Sequence, residues 1–173
     1  ELADSMPDAG LDEKLAEFLY QNGWENSILA QSEQARSDLW TLRENISASQ
    51  RKLGTSIKHD IAVPIAQVAA FVRQCAPALE TRFPGIQIVC FGHLGDGSLH
   101  YNTFLPNVLS NEAYQYEDAV NTIVYENILA CHGTIAAEHG VGIIKKHWLP
   151  RVRTQAELVL MHAIKNQLDP YGI

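Results

Sequence analysis

Apolar residues recur at three- and four-residue spacing in several segments of the chain, a spacing that predicts amphipathic helices. The predicted helices cover residues 11–21, 32–49, 65–83, 111–132 and 150–168. Ser32 precedes the second segment and is a suitable N-cap. Pro77 lies inside the third segment, where its ring predicts a bend or an early end of the helix.

A different spacing, alternation of apolar and polar residues, predicts strands over residues 27–31 and 56–63 and on both sides of residues 95–97. Gly95, Asp96 and Gly97 suit a tight reversal, so the last two runs should form a β-hairpin. Helices mixed with a hairpin predict an α+β domain in which helices cover one face of an antiparallel sheet. A dinucleotide-binding fingerprint is not expected, because a strand-like run follows these glycines where a helix would be required.

The length and composition of the chain exclude several classes of protein. A length of 173 residues with 46% hydrophobic residues predicts one domain, and a net charge of -7 argues against nucleic-acid binding. No apolar run approaches the roughly 18 residues of a membrane span. Three widely spaced cysteines in apolar contexts predict reduced, buried thiols and a reducing compartment, either the cytoplasm or, in a eukaryote, the mitochondrial matrix.

The ends of the chain predict that it is a piece of a longer protein. It opens on Glu1 without a methionine, and it stops on the apolar Ile173 just after a Pro-Tyr-Gly turn. We therefore expect partner segments of the same protein outside this sequence.

The predicted hairpin carries two histidines, His93 and His100, at either side of its turn. If they lie opposite each other, their Cβ atoms are about 5 Å apart. Two imidazoles so placed can bind one metal ion if a third ligand is supplied from elsewhere. The alternative from the same residues is a glycine-rich hairpin with two polar histidines at its tip.

A carboxylate and a histidine, Glu138 and His139, stand between a β-prone pair and two glycines. Glu138 can complete a set of two histidines and one carboxylate, which suits Zn, Mn or Fe and leaves coordination positions open for a substrate. His139 then remains available for proton transfer. The alternative is a solvated surface pair. His59, His132, His147 and His162 have no comparable support and are predicted to be ordinary core or surface histidines.

Five ordered motifs give the chain a resemblance to the C-terminal domain of FAD-linked oxidases, in the group of D-2-hydroxyglutarate, D-lactate and glycolate dehydrogenases. The motifs are LWTLRE at 39–44, KHDIAVP at 58–64, GHLGDGSLHYN at 92–102, GTIAAEHGVG at 133–142 and LDPYGI at 168–173. The resemblance implies a ferredoxin-like α+β domain over residues 1–173 with a C-terminal helical segment. It also implies that FAD is bound mainly by a flavin-binding domain outside this chain.

The resemblance assigns roles to individual residues. His93, His100 and Glu138 would bind the divalent metal, zinc or in some relatives manganese, and His139 would be the catalytic base. The substrate-binding positions would be Arg43, Ser47, Lys58 and Asn102. Together these imply oxidation of a D-2-hydroxy acid to a 2-oxo acid, with hydride transfer to FAD.

Lys58 favours a dicarboxylate substrate such as D-2-hydroxyglutarate, because a monocarboxylate needs one cationic partner beside the metal whereas a dicarboxylate can use two. Each cation also has a simpler interpretation. Arg43 can be a solvated helix residue paired with a nearby acid, and Lys58 can protect an edge strand from aggregation.

Two other functions use the same metal ligands. One is a stand-alone zinc hydrolase in which His139 activates water, and the other is a non-catalytic interaction module stabilised by a metal. The partners expected for the leading function are a small 2-hydroxy acid, the flavin-binding domain of the same protein and a downstream electron acceptor. Self-association into a homo-oligomer is an open expectation.

Overall fold

A computed structural model describes residues 10–24, 26–93, 95–109 and 111–172. Both chain ends, on which the prediction of an excised piece depends, lie outside these ranges. The contacts divide the chain into two compact units, Glu1–Ser49 and Gln50–Ile173. No described helix combines the length and the apolar character that crossing a bilayer requires.

The N-terminal unit is helical. It contains α1 (Leu11–Gln21), α2 (Glu33–Glu44) and the short α3 (Ile46–Ser49). The side chain of Ser32 accepts a hydrogen bond from the backbone N–H of Ala35 and caps α2 as predicted. Residues 27–31 have no regular secondary structure, so the short strand predicted there is wrong. A strand requires a hydrogen-bonded partner, and the described residues of this unit offer only helices and loops.

The second unit follows the order strand, helix, strand, strand, helix. Its elements are β1 (Ser56–Ala62), α4 (Val68–Arg82), β2 (Gln87–His93), β3 (Ser98–Phe104) and α5 (Glu117–Ala130). Short 3₁₀ turns at Ile65–Gln67 and Ala113–Tyr116 lead into α4 and α5. Two C-terminal helices follow, α6 (Leu149–Val152) and α7 (Gln155–Leu168).

The described strands form an antiparallel sheet in the order β1-β3-β2. Since β1 and β2 are each antiparallel to β3, they run parallel to each other, and α4 connects them across the inserted β3. This split β-α-β unit, followed by α5, reproduces the first five elements of the ferredoxin-like motif. The expected α+β fold with an antiparallel sheet is therefore confirmed.

One face of the sheet is covered by α4 and α5. Ile57, Ile61 and Tyr101 from the strands join buried side chains of both helices in a single core. The ring of Phe71 on α4 meets that of Tyr101 edge-on, with centroids 5.2 Å apart. Burial of this apolar surface is the main force that holds the helices on the sheet.

Three predictions from the pattern need correction. The α4 helix continues five residues past the exposed Pro77, so the early end, one of the two effects predicted for the proline, is wrong. The segment 150–168 is not one helix, because Arg153 is extended and Thr154 starts α7 with a capping box. Cys75 and Cys131 are free and buried as expected, but Cys90 is exposed because it lies on the edge strand β2.

His59 belongs to the core, as expected for a histidine outside the motifs' functional positions. Its Nδ1 lies 2.8 Å from the carbonyl oxygen of Tyr101, which can only accept, so Nδ1 carries the proton. Burial lowers the pKa of His59 to about 4, so the ring is neutral at pH 7 and its Nε2 must accept a hydrogen bond. Oδ1 of Asn121 lies 2.8 Å from Nε2, and a neutral ring protonated at Nδ1 requires this amide to be turned so that its nitrogen donates to Nε2.

Stability should fall as the pH drops from about 6.5 to 4, because the unfolded state takes up a proton on His59 before the folded state does. The contribution of His59 is on the order of 2 kcal/mol between about pH 7.5 and 4.5. Urea unfolding of wild type and His59→Gln at both pH values measures it. On going from pH 7.5 to 4.5, the free energy of unfolding should fall by about 2 kcal/mol less in the variant than in wild type. An equal fall in both proteins would contradict the interpretation.

Candidate functional site

The sheet face opposite the helices carries most of the predicted site residues. Ile57, His59 and Ile61 point into the core, so the alternate positions of β1 point to the other face. Cross-strand pairing places Lys58 beside Asn102 and Asp60 beside His100 on that face. Phe91 of β2 pairs with His100 and extends the same surface, together with His93 two residues along the strand.

The two hairpin histidines are diagonal neighbours, contrary to the directly opposed arrangement considered from the sequence. His93 pairs with Ser98, and His100 pairs with Phe91. The connection between the two strands is thus two residues shorter than it would be if the histidines were directly paired. Both imidazoles nevertheless lie on the same face of the sheet. The ring of His100 packs on that of Phe91, with centroids 4.9 Å apart.

The loop after α5 brings Glu138 and His139 to this face. Ala62 and Thr134 exchange two backbone hydrogen bonds, of 3.1 and 2.7 Å, along the free edge of β1. Gly133 is needed for this approach, since a Cβ there would lie 2.5 Å from the carbonyl oxygen of Ala62. This single bridge stands where a fourth strand of the ferredoxin-like motif would begin, and the chain then turns away as a loop.

Asp60 holds that loop. Its Oδ2 accepts hydrogen bonds from the backbone N–H groups of Ala137, Glu138 and His139, at 3.2, 3.0 and 2.8 Å. Burial raises the pKa of Asp60, but the backbone hydrogen bonds from His139 and Glu138 and the charge of Lys145 outweigh burial. Its pKa is therefore below the usual value, and the carboxylate is ionised at neutral pH.

Lys145 is a second side chain that contacts both the loop and β1. Its Nζ donates to the carbonyl oxygens of Asp60 and Ile135, at 3.2 and 2.6 Å. Desolvation lowers the pKa of Lys145, and the nearby Asp60 opposes that shift. The lysine therefore ties the loop to β1 through two backbone acceptors.

Two pairs of potential ligands approach each other across the face. The Nε2 atom of His93 lies 4.0 Å from Oε1 of Glu138, and the ring centroids of His100 and His139 are 5.9 Å apart. Among the described residues, one trio has ligand atoms all within 4.8 Å of one another, namely Asp60, Glu138 and His139. Glu138 therefore contacts both the predicted histidine ligand and an acidic neighbour that the sequence had not suggested.

Sequence comparison decides the family. The profile of the family described as FAD linked oxidases, C-terminal domain, matches residues 8–173. The chain belongs to this family.

Named relatives agree with that membership. The FAD-linked oxidase domain is 38% identical over 159 residues to a D-2-hydroxyglutarate dehydrogenase of Stutzerimonas stutzeri, covering 91% of the chain and 34% of the relative. A D-2-hydroxyglutarate dehydrogenase from Xanthomonas citri pv. viticola is 34% identical over 157 residues. That alignment covers 90% of the chain and 33% of the relative. A putative mitochondrial D-lactate dehydrogenase of Schizosaccharomyces pombe is 31% identical. That alignment covers 86% of the chain and 29% of the relative. The domain thus spans about a third of the length of these relatives.

The predicted substrate residues of the FAD-linked oxidase domain fall in both units. Lys58 is exposed on β1, and its neighbour Asn102 is buried and donates its Nδ2 to Oε1 of Gln50 at 2.8 Å. Arg43 is half-buried on α2, where it lines a cavity of about 670 Å³ within the N-terminal unit, and Ser47 is exposed on α3. The roles of these four residues stay predictions.

Asp60 and Gln50 contact candidate residues, and Lys145 contacts Asp60, but none of the three received a role from the sequence. The sequence could have indicated Asp60, because it lies two residues after Lys58 on the same strand and therefore points to the same face. No comparable signal marks Lys145, because its partners are backbone carbonyl oxygens.

The turn that spaces the two histidines of the FAD-linked oxidase domain should tolerate alanine at one glycine and not at another. Gly97 has φ +76°, and a Cβ there would lie 2.0 Å from the carbonyl oxygen of Val63, whereas no atom lies within 4 Å of a Cβ at Gly95. We expect Gly97→Ala to lower the free energy of unfolding by at least about 2 kcal/mol and Gly95→Ala by less than about 0.5 kcal/mol. Urea denaturation measures both, and equal losses would show that the contact with Val63 is not limiting.

Proposed function

We propose that this chain is the substrate- and metal-binding domain of a flavin-dependent dehydrogenase that oxidises a D-2-hydroxy acid to the 2-oxo acid. The observation that carries the proposal is the shared sheet face of Lys58, His93, His100 and Asn102, over which one loop holds Glu138 and His139. Named relatives are D-2-hydroxyglutarate dehydrogenases and a putative D-lactate dehydrogenase. Because the chain spans about a third of their length, the activity belongs to a longer protein.

The metal ligands in this proposal are His93, His100 and Glu138, and the ion is zinc or manganese. Imidazole nitrogen and carboxylate oxygen are suitable donors for both. Two ligands bound to one ion at about 2.0–2.2 Å lie roughly 3.0–3.5 Å apart, so the 4.0 Å between His93 and Glu138 is close to the required spacing. Their side chains are 52% and 48% exposed, which leaves room for the rotamer changes that bring all three ligands to one point.

The proposed chemistry divides between bound groups and side chains. When bound, the cation lowers the pKa of the hydroxyl group it contacts, and the flavin supplies an acceptor for the hydride of the substrate carbon. His139 accepts the hydroxyl proton, because an imidazole nitrogen can act as a general base. Its backbone is already fixed by the hydrogen bond from its N–H to Asp60.

The remaining proposed residues bind and orient the substrate. Arg43 offers a planar guanidinium for bidentate binding of a carboxylate, and Ser47 is assigned on the motif alone. Lys58 would bind a second carboxylate, which favours a dicarboxylate such as D-2-hydroxyglutarate. Asn102 is oriented by Gln50 and supplies an amide beside Lys58.

The flavin-binding domain of the same protein and a downstream electron acceptor are the partners that this function requires. The domain described here provides the substrate half of the reaction. Reduced flavin must be reoxidised, so an acceptor of electrons completes the cycle.

Metal binding is the first test of the proposal. The full chain at neutral pH should bind about one Zn²⁺ ion, because two imidazoles and one carboxylate that share this face can converge on a single ion. Combined His93→Ala and Glu138→Ala replacement should abolish binding, measured by metal analysis after gel filtration. His162→Ala, an exposed histidine on α7, is the control and should retain the ion.

A chain without a stoichiometric ion would contradict the metal site. Ester or amide hydrolysis by the flavin-free chain would instead support the zinc hydrolase. An ion closed off by four protein ligands would favour the interaction module, because structural sites leave no open position.

Substrate length is tested on the full-length, flavin-loaded protein. We expect kcat/KM for D-2-hydroxyglutarate or D-malate to exceed that for D-lactate or glycolate. Lys58→Ala should reduce dicarboxylate turnover about 10-fold or more, equivalent to the loss of one charged hydrogen bond, and should leave monocarboxylate turnover nearly unchanged. Lys52→Ala, an exposed lysine of the 3₁₀ turn Gln50–Leu53 before β1, serves as the control. Equal losses for lactate and hydroxyglutarate would exclude a second carboxylate site at Lys58.

A further inference from the structure

The loop that carries Glu138 and His139 has little support from the sheet. Its one bridge to β1 joins Thr134 to Ala62, and its following backbone N–H groups need other acceptors. Three consecutive groups, those of Ala137, Glu138 and His139, all donate to Oδ2 of Asp60. One carboxylate oxygen thus replaces the ladder partner that a fourth strand would have found on β1.

The side chains of Glu138 and His139 are not fixed by burial. Both residues are exposed, so the position of their backbone determines where the carboxylate and the imidazole project. Backbone N–H groups that converge on one anion fix several successive residues at once. Asp60 therefore limits the conformations of the two residues to which the proposed function gives the chemistry.

Lys145 secures the start of the same loop. Its Nζ bridges the carbonyl oxygen of Ile135, before the turn, and that of Asp60 on β1. The next residue, Lys146, has the same charge but is exposed in the 3₁₀ turn Lys146–Trp148. The two lysines therefore offer a matched pair with equal charge and different contacts.

We propose that Asp60 and Lys145 are positioning residues that hold the 135–139 loop on β1, so that Glu138 can bind the metal and His139 can face the substrate. The inference deepens the proposed function and rests on it. Neither residue contacts the reacting atoms in this assignment. Asp60 acts through the backbone of Glu138 and His139, and Lys145 acts through Ile135 and Asp60.

An electrostatic role for Lys145 gives the opposite expectation. Removal of a cation next to a metal site reduces repulsion and should strengthen binding of a divalent ion. Removal of a positioning residue should weaken it, because outer contacts that orient ligands typically contribute 10- to 100-fold, roughly, to metal affinity. The sign of the change in affinity therefore separates the two roles.

The test measures Zn²⁺ affinity of the metal-free full chain by competition with a chromogenic chelator. Lys145→Met should weaken binding about 10-fold or more, whereas Lys146→Met should stay within about twofold of wild type. Asp60→Asn, which keeps the shape but loses the charged acceptor, should also weaken binding, with Asp38→Asn on the exposed side of α2 as its control. Far-UV circular dichroism confirms that each variant remains folded.

Hydrogen–deuterium exchange of the metal-free chain provides a readout that does not depend on zinc. Peptides that cover residues 135–141 should lose protection in Lys145→Met and Asp60→Asn and keep it in both controls. Unchanged protection, or an unchanged or higher Zn²⁺ affinity in Lys145→Met, would overturn the positioning role and leave the proposed metal site intact. Failure of the wild-type chain to bind Zn²⁺ would instead overturn the metal site, and the inference with it.

Discussion

The antiparallel register between β1 and β3 is the constraint on which the rest of the candidate site depends. It pairs Lys58 with Asn102 and Asp60 with His100, so residues at least forty positions apart become cross-strand neighbours. A slip of β1 by one residue would turn Lys58 and Asp60 into the helix-covered core and expose Ile57 and Ile61. Such a slip would lose the burial that stabilises the fold, and the core therefore enforces the geometry of the opposite face.

Because of that register, two adjacent residues of β1 point to opposite faces of the sheet and have different environments. His59 points into the core, where burial lowers its pKa to about 4 and its two ring nitrogens have fixed partners. Asp60, the next residue, points to the other face and stays ionised by accepting three backbone hydrogen bonds. The histidine remains neutral inside a sealed core, while the carboxylate organises a loop at the surface.

Sequence reasoning reached the parts of the site that depend on local alternation. The shared face of His100 and Asn102 follows from their two-residue spacing, and the role of Ser32 follows from the preference for serine at N-caps. Strand spacing places Asp60 on the same face as Lys58, but its role as an acceptor was not reached, because its partners lie 77 to 79 residues away and are backbone groups that any residue could supply. The exposure of Cys90 likewise depends on strand order, which local hydrophobicity does not encode.

The candidate site lies beside the free edge of β1, where the sheet ends after a single bridge. A complete fourth strand after Gly133 would satisfy the free edge of β1, but its side chains would alternate between faces and only every second one could point to the site. A loop frees Glu138 and His139, adjacent in sequence, to lie near different partners, with Glu138 near His93 and His139 near His100. The N–H groups that lose their strand partners are compensated by the charged Asp60, a stronger acceptor than a neutral carbonyl. Ending the strand after one bridge therefore costs little hydrogen bonding and allows two neighbouring residues to reach one candidate site.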